Sequence, residues 1–366
     1  MPTPARVVVL PDAPGPLRVD EVDLPDPGPH QVVVKQFASG VCHSQLHQMH
    51  GARSAPTVLG HESTGVVLKT GAEVTHVREG DRVMVTWVPR NPDVTTRRSE
   101  AATLQLADGK TAVSQNVFTW ADHTIADEQF VVALPDGVAT DVTSIIGCAV
   151  MTGAGAVLHT AGVKAGESVA VIGVGGVGLS AIVAAKVVGA DPIIAVDLSA
   201  DKLETAKRFG ANQFVDASST DAVEGIRSIT ADTSGRTDFR GQPLAGADWV
   251  FDCIGLPATM AQIVPAAKSG TFGVVRGGTG VLVGVPRGNV EIDTVDVLLN
   301  EKRFIGSIGG SCHPERDFPT FLDWYANGQL DLDALVTARY AIDDINVATT
   351  DLEEGRIEGR AILVFD

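Results

Sequence analysis

The chain has 366 residues, 44% of them hydrophobic and 20% charged, a composition typical of a soluble globular protein long enough for two domains. Its formal net charge of −17 argues against nucleic acid or an anionic membrane surface as a partner. No segment approaches the roughly 20 uninterrupted apolar residues of a membrane-spanning helix. The first 16 residues lack the pattern of a signal peptide. The four cysteines are widely spaced, which favours a reducing compartment, so we expect a cytoplasmic protein.

Residues 1–150 contain short β-rich runs, such as ARVVVL, QVVVKQF, TGVVLKT and DRVMVTW, separated by Pro- and Gly-rich turns. This pattern predicts a small, mostly antiparallel β-domain.

Candidate metal ligands fall in this part of the chain, at Cys42, His61 and Cys148. Catalytic zinc keeps three protein ligands and an open position, and two thiolates with one imidazole form such a set. The same donors disfavour magnesium and calcium. Spacing alone leaves the alternative that the cysteines are small buried hydrophobes and the histidine is structural.

A glycine-rich turn, residues 173–178, follows the buried apolar run SVAVI and precedes a predicted helix. A second buried run ends on Asp197, which lies 197 − 178 = 19 residues after Gly178. Strand, glycine turn, helix, strand and acid in this order predict a dinucleotide-binding unit. Gly173 would allow the tight turn, Gly175 the close approach of a pyrophosphate and Gly178 the packing of helix on strand. Asp197 would accept ribose hydroxyls and repel a 2′-phosphate, so NAD is favoured over NADP.

Strands and helices alternate after Asp197, which predicts a parallel doubly wound sheet. The polar, Gly-rich stretch 231–246 is interpreted as a surface loop. Cys312, beside His313, is interpreted as structural.

Ordered blocks along nearly the entire chain resemble the zinc-containing medium-chain alcohol dehydrogenases: GVCHSQLH, GHES, GCAVMTGAGA, VIGVGGVGLSAIVAAKVVGA, IIAVDLSADKLETAKRFGA, FDCIG and VLVGVP. The resemblance implies an α/β protein in which a GroES-like β-rich catalytic domain is joined to a Rossmann doubly wound parallel sheet. The catalytic domain would comprise residues 1–151 and 308–366, and the NAD-binding domain residues 152–307.

The resemblance implies one catalytic zinc per chain, held by Cys42, His61 and Cys148. Glu62 would lie beside the metal as a transient ligand, with a hydrogen-bonding role outside the metal shell as the alternative. Many members hold a second, structural zinc with four closely spaced cysteines, but residues 89–113 contain none. We therefore expect no structural zinc, and a lobe that is either ordered by packing alone or mobile.

The resemblance also implies a proton relay, in which Ser44 accepts the alcohol proton and His47 finally passes it to solvent through the cofactor ribose, with an ordinary surface histidine as the alternative for His47. Trp87 and Trp120 would line an apolar substrate pocket, with ordinary core positions as the alternative. Gln45 stands where the family usually has an aspartate partner of the zinc-bound histidine. Its amide oxygen can accept a hydrogen bond but supplies no charge, so we expect altered zinc affinity.

For the cofactor, the resemblance implies that His43 and Arg360 bind the pyrophosphate, Thr152 faces the nicotinamide and Lys202 reaches the ribose. Further contacts are expected at Gly173, Gly175, Gly176, Val177, Gly178, Asp197, Leu198, Cys253, Ile254, Val283 and Val285.

Together these features predict a zinc-dependent, NAD-linked alcohol dehydrogenase acting reversibly on apolar or aromatic primary or secondary alcohols to give aldehydes or ketones. Three alternatives stay open: an enzyme that keeps NAD(H) tightly bound, a zinc-independent reductase of the same superfamily, and a non-enzymatic NAD-binding protein. By analogy with the family, a homodimer or homotetramer is expected.

Overall fold

The computed structural model describes residues 2–94, 97–271 and 273–366. Eighteen strands lie in this part of the chain: β1 Thr3–Leu10, β2 Arg18–Leu24, β3 Gln31–Val41, β4 Thr57–Val58, β5 Glu62–Thr70, β6 Arg82–Thr86, β7 Thr103–Gln105, β8 Thr111–Val113, β9 His123–Asp127, β10 Val131–Ala133, β11 Val169–Ile172, β12 Ile193–Asp197, β13 Gln213–Asp216, β14 Trp249–Asp252, β15 Thr279–Leu282, β16 Arg303–Gly306, β17 Val336–Tyr340 and β18 Arg360–Val364.

The α-helices of the described residues are α1 His43–His50, α2 Ala149–Gly155, α3 Gly176–Val188, α4 Ala200–Phe209, α5 Ala222–Ile229, α6 Pro257–Ala266, α7 Thr294–Leu299, α8 Pro314–Ala326, α9 Leu332–Leu335 and α10 Ile345–Glu353. Among these helices, none combines the length and the apolar character needed to cross a membrane.

Two compact units make up the chain. The first comprises Met1–Ala149, His313–Ala326 and Asp331–Asp366, and the second Val150–Cys312 and Asn327–Leu330. The domain boundaries predicted from the sequence, at 151/152 and 307/308, stay a prediction.

The first unit is built on two largely antiparallel sheets, which confirms the predicted β-rich domain. One sheet has the order β2-β1-β4-β8-β7, and the other has the order β10-β6-β5-β3-β18-β17, with β9 pairing with β3. The C-terminal strand β18 runs antiparallel to β3, with Ala361 opposite Val41. The C-terminal strand β18 therefore lies in the same sheet as the N-terminal strands β3, β5 and β6.

The lobe without cysteines is held by packing and by ion pairs, one of which involves a buried carboxylate. Strands β7 and β8 form a hairpin, and Leu104 and Ala112 bury their side chains in a cluster with Phe118. Arg97 donates two hydrogen bonds, of 2.8 and 2.7 Å, to the buried carboxylate of Asp127. These contacts agree with the expectation of order through packing, and the choice between that order and mobility stays a prediction; residues 95–96 lie outside the described residues.

The second unit contains a six-stranded parallel sheet in the order β13-β12-β11-β14-β15-β16, which confirms the predicted doubly wound topology. Its central strands β11 and β12 are apolar and buried because helices cover both faces of such a sheet. Stretch 231–246 lies outside the sheet, as predicted for a loop, and Arg240 ties it to Asp293 through a 2.8 Å ion pair. The carboxyl ends of β11, β12 and β14 lie at one edge of the sheet, where ligands bind in open α/β folds.

Candidate functional site

Three potential metal donors converge in the first unit. Cys42 caps the start of α1, His61 precedes β5, and Cys148 precedes α2, and one donor atom from each lies within 4.8 Å of the other two. His61 Nε2 lies 3.2 Å from Cys148 Sγ, so this nitrogen faces the cluster. The turn before His61 requires glycine, because Gly60 has a φ of 94° and a side chain there would meet the backbone of Trp120. Two sulfurs and one imidazole nitrogen fit a zinc ion better than a hard cation.

The thiols of Cys42 and Cys148 shift each other's pKa in opposite directions. A hydrogen bond from Cys148, together with the positive charge of Arg360, holds the pKa of Cys42 well below its usual value, although burial opposes the shift. The same hydrogen bond and burial raise the pKa of Cys148. One thiolate therefore forms readily, and a cation that contacts both sulfurs would favour the second ionisation.

A buried ion pair lies next to this cluster. Arg360 on β18 donates to Glu62 Oε1 from Nε, at 3.1 Å, and from Nη2. The backbone N–H of Ala149 donates to Glu62 Oε2 at 3.3 Å. Burial raises the pKa of Glu62 against the opposing charge of Arg360, whereas burial opposes the charge on Arg360 and the negative groups around it raise its pKa. Glu62 is thus fixed by hydrogen bonds in this structure; its role as a transient ligand, and that of Arg360 at a phosphate, stay predictions.

The eight-residue helix α1 carries the predicted relay residues. The Oγ atom of Ser44 is buried and has no hydrogen-bond partner among the described residues. His47 follows one turn later and is half-buried, while His43 is exposed. Ser44 thus presents an unsatisfied hydroxyl on the helix that begins at Cys42.

The two tryptophans occupy different environments. The Trp87 ring lies edge-on to His61, with 6.2 Å between ring centroids and 62° between ring planes. Trp120 is 1% exposed, packs with Leu46 and Leu59, and donates from Nε1 to the Gly40 carbonyl at 3.0 Å. The structure therefore favours a core position for Trp120 over the predicted place in the pocket wall, because these apolar neighbours and this hydrogen bond enclose its ring.

The amide of Gln45 is not oriented as expected, with its oxygen toward His61. Its oxygen accepts from the Cys42 backbone N–H at 3.2 Å, and its nitrogen lies 2.5 Å from His61 Nδ1. The amide oxygen, which was expected to accept from His61, thus already accepts from the Cys42 N–H at the start of α1. Sequence reasoning also missed the Glu62–Arg360 pair, because 298 residues separate its partners and no local pattern links them.

The glycine turn of the second unit has the geometry of a phosphate-binding loop. Gly173 has a φ of 88°, and a side chain on Gly178 would meet the Gly173 carbonyl, whereas the space beside Gly175 is open. Asp197, at the end of β12, accepts hydrogen bonds from Val174 N at 3.0 Å and Ser199 N at 3.1 Å. A backbone that is open at a helix N-terminus, with a fixed carboxylate beside it, fits a dinucleotide.

Further residues predicted to contact the cofactor lie in the second unit, several of them just after the ends of its strands. Apolar side chains are exposed at Leu198, Ile254 and Val285. Cys253 and Val283 follow the ends of β14 and β15, and burial raises the pKa of the Cys253 thiol, which keeps it neutral. Lys202 lies in α4, where its backbone N–H donates to Ser199 Oγ. The remaining predicted positions in this unit are Gly176 and Val177, which open α3, and Thr152, whose buried hydroxyl has no partner within the described ranges.

Cys312 is not part of these sites. Its thiol is buried and donates to the Met151 carbonyl at 3.4 Å, and the structural role interpreted from the sequence stays a prediction.

Comparisons with known proteins agree with this architecture. Residues 28–136 match the family model of the alcohol dehydrogenase GroES-like domain, and residues 176–327 match that of zinc-binding dehydrogenases. The chain is 31% identical to the class-3 alcohol dehydrogenase of Cereibacter sphaeroides, over 98% of this chain and 99% of that protein. Two solved structures cover 100% of both chains at 27% identity: an alcohol dehydrogenase zinc-binding domain protein from Burkholderia ambifaria, with a TM-score of 0.86, and the benzyl alcohol dehydrogenase of Acinetobacter calcoaceticus, with a TM-score of 0.85. The chain therefore belongs to the zinc-containing medium-chain alcohol dehydrogenases and is an oxidoreductase.

Proposed function

We propose that this protein is a zinc-dependent, NAD-linked dehydrogenase that interconverts apolar or aromatic primary and secondary alcohols with aldehydes and ketones. The observation that carries the proposal is the convergence of Cys42, His61 and Cys148 within 4.8 Å, because this donor set suits catalytic zinc. The proposal includes one zinc per chain.

Zinc, when bound, supplies Lewis acidity toward the alcohol oxygen, and NAD supplies the hydride acceptor. The residues of α1 would remove the alcohol proton. Ser44 Oγ is buried and has no hydrogen-bond partner among the described residues, so it can accept a proton and release its own with no net charge left behind. His47 lies three residues further along α1, and its imidazole can both accept and donate a proton. Ser44 would thus accept the proton and His47 would pass it to solvent.

The substrate class is inferred from Trp87. Its indole lies edge-on to a proposed metal ligand, so it can present a broad apolar surface beside the reacting centre. The full-length likeness to a benzyl alcohol dehydrogenase supports an aromatic substrate. The small side chain at Ser44 leaves room for a secondary carbinol.

The choice of NAD is inferred from Asp197. Two backbone N–H groups fix its carboxylate at the end of β12, where it can accept the ribose hydroxyls and would repel a 2′-phosphate. The cofactor roles implied for His43, Arg360, Thr152 and Lys202 are part of the proposal. A homodimer or homotetramer in the cytoplasm is proposed from the family resemblance and the cysteine usage.

NADH formation tests the function, measured for purified protein with aliphatic, aromatic and secondary alcohols. We expect turnover that disappears with a chelator, returns with zinc and is faster with NAD than with NADP. Activity that is indifferent to the chelator would refute the metal site. Absence of turnover in a zinc-loaded protein that carries copurified NAD(H) would favour the enzyme that recycles its own cofactor.

A further inference from the structure

Gln45 lies between two of the proposed zinc ligands and is 1% exposed. Its amide oxygen faces the backbone N–H of Cys42, and its amide nitrogen faces His61 Nδ1. The first contact forms the start of α1, where the side chain of the third helical residue reaches back to the capping residue. The second contact lies on the ring edge opposite Nε2, the nitrogen directed at Cys148.

Both groups that face Gln45 are donors when His61 binds a metal. A neutral imidazole that coordinates through Nε2 carries its proton on Nδ1, so Nδ1–H must donate. The backbone N–H of Cys42 is also a donor. The oxygen and the NH₂ group of the amide face different donors in this structure, so the amide accepts from only one of the two. The other donor faces an NH₂ group and stays unsatisfied.

We propose that Gln45 is a positioning residue that couples the metal affinity of His61 to the first turn of α1, because two donors compete for its one amide oxygen. When the oxygen turns to His61, the Cys42 N–H loses its acceptor. When the oxygen stays on Cys42, Nδ1–H meets the amide nitrogen. Zinc affinity is therefore lower than it would be with a side chain at position 45 that accepts from both donors. The proposal rests on the zinc site of the proposed function.

The isosteric substitution Gln45→Glu tests the coupling, because a carboxylate offers an oxygen to each donor. We expect zinc to bind about tenfold more tightly, the lower end of the range for partners of a metal-bound histidine. The zinc dissociation constant is measured by competition with a chromophoric chelator and requires no turnover. Hydrogen exchange of the Cys42 amide in zinc-loaded protein is the second readout, and we expect slower exchange in Gln45→Glu than in the wild type.

Gln48→Glu is the matched control, since it adds the same charge one turn further along α1. We expect less than a twofold change in its zinc dissociation constant. Equal tightening in both variants would overturn the proposal and assign the effect to charge. An unchanged or weaker zinc affinity in Gln45→Glu would also overturn it. Circular dichroism verifies folding, and Gln45→Asp replaces Gln45→Glu if the longer carboxylate prevents folding. A wild-type protein that binds no zinc would instead refute the metal site of the proposed function.

Discussion

We expect the lobe without a structural zinc to be stabilised by the packing of its apolar side chains. Leu104 is 1% exposed on β7 and packs in a cluster that includes Ala112 and Phe118. Replacing a buried leucine by alanine usually costs about 3–5 kcal/mol, because apolar contacts are lost and a cavity remains. Because β7 is an edge strand with exposed residues on both sides of Leu104, the site can partly collapse. We therefore expect Leu104→Ala to lower the free energy of unfolding by about 3 kcal/mol.

Urea unfolding followed by tryptophan fluorescence measures this loss, with Gln105→Ala as the matched control on the exposed face of the same strand. We expect the control to change the free energy of unfolding by about 0.5 kcal/mol or less. A chelator will lower the stability of every variant that binds zinc, but the difference between Leu104→Ala and the wild type should not change. A loss below about 1 kcal/mol, or one that depends on the chelator, would refute order by packing.

Three further predictions concern the site and the Arg97–Asp127 ion pair of the lobe. Ser44→Ala should lower kcat about 100-fold, the typical contribution of a positioned proton acceptor, and elemental analysis should find the zinc content unchanged. Asp197→Ala should lower the ratio of kcat/KM for NAD to that for NADP at least about tenfold, measured in initial-rate assays. Burial opposes the ionisation of Asp127, but the hydrogen bonds from Arg97 and from the backbone N–H groups of Gln129 and Glu100 together outweigh it and lower the pKa of this carboxyl. The resulting stability is present above the unfolded pKa of about 3.9 and is lost as pH falls through the lower folded value. Asp127→Asn should therefore unfold about 2 kcal/mol more easily at pH 7 and show a weaker pH dependence below about pH 4, measured by urea unfolding across a pH series.

The fold could be predicted from sequence because its signals are local or ordered. The glycine turn and Asp197 are separated by one helix and one strand, so the geometry of a single βαβ unit fixes their relation. Alternating strands and helices then determine a parallel sheet. The metal donors are different, because positions 42, 61 and 148 carry no spacing that brings them together. Residue type made them a candidate zinc set with a structural alternative, the family resemblance favoured the zinc site, and the structure then placed their donor atoms within 4.8 Å.

Three features could not be predicted because they depend on tertiary packing. Arg360 and Glu62 meet only after the C-terminal strand has joined the sheet. A tryptophan suits a pocket wall and a core equally, so Trp120 could be assigned only from its neighbours. The orientation of the Gln45 amide depends on two donors that come from different segments of the chain.

Helix α1 joins functions that would otherwise be independent. Its cap, Cys42, is a proposed zinc ligand, Gln45 contacts a second ligand, and Ser44 and His47 are the proposed relay. A helix of eight residues has little stability of its own, so its geometry depends on packing, chiefly through Leu46 in the cluster beneath it. Substitutions that loosen the first turn of α1 should therefore weaken zinc binding and proton removal together. Substitutions in the glycine turn of the second unit should change cofactor affinity and leave the zinc dissociation constant unaltered, because no donor of the zinc cluster comes from that turn.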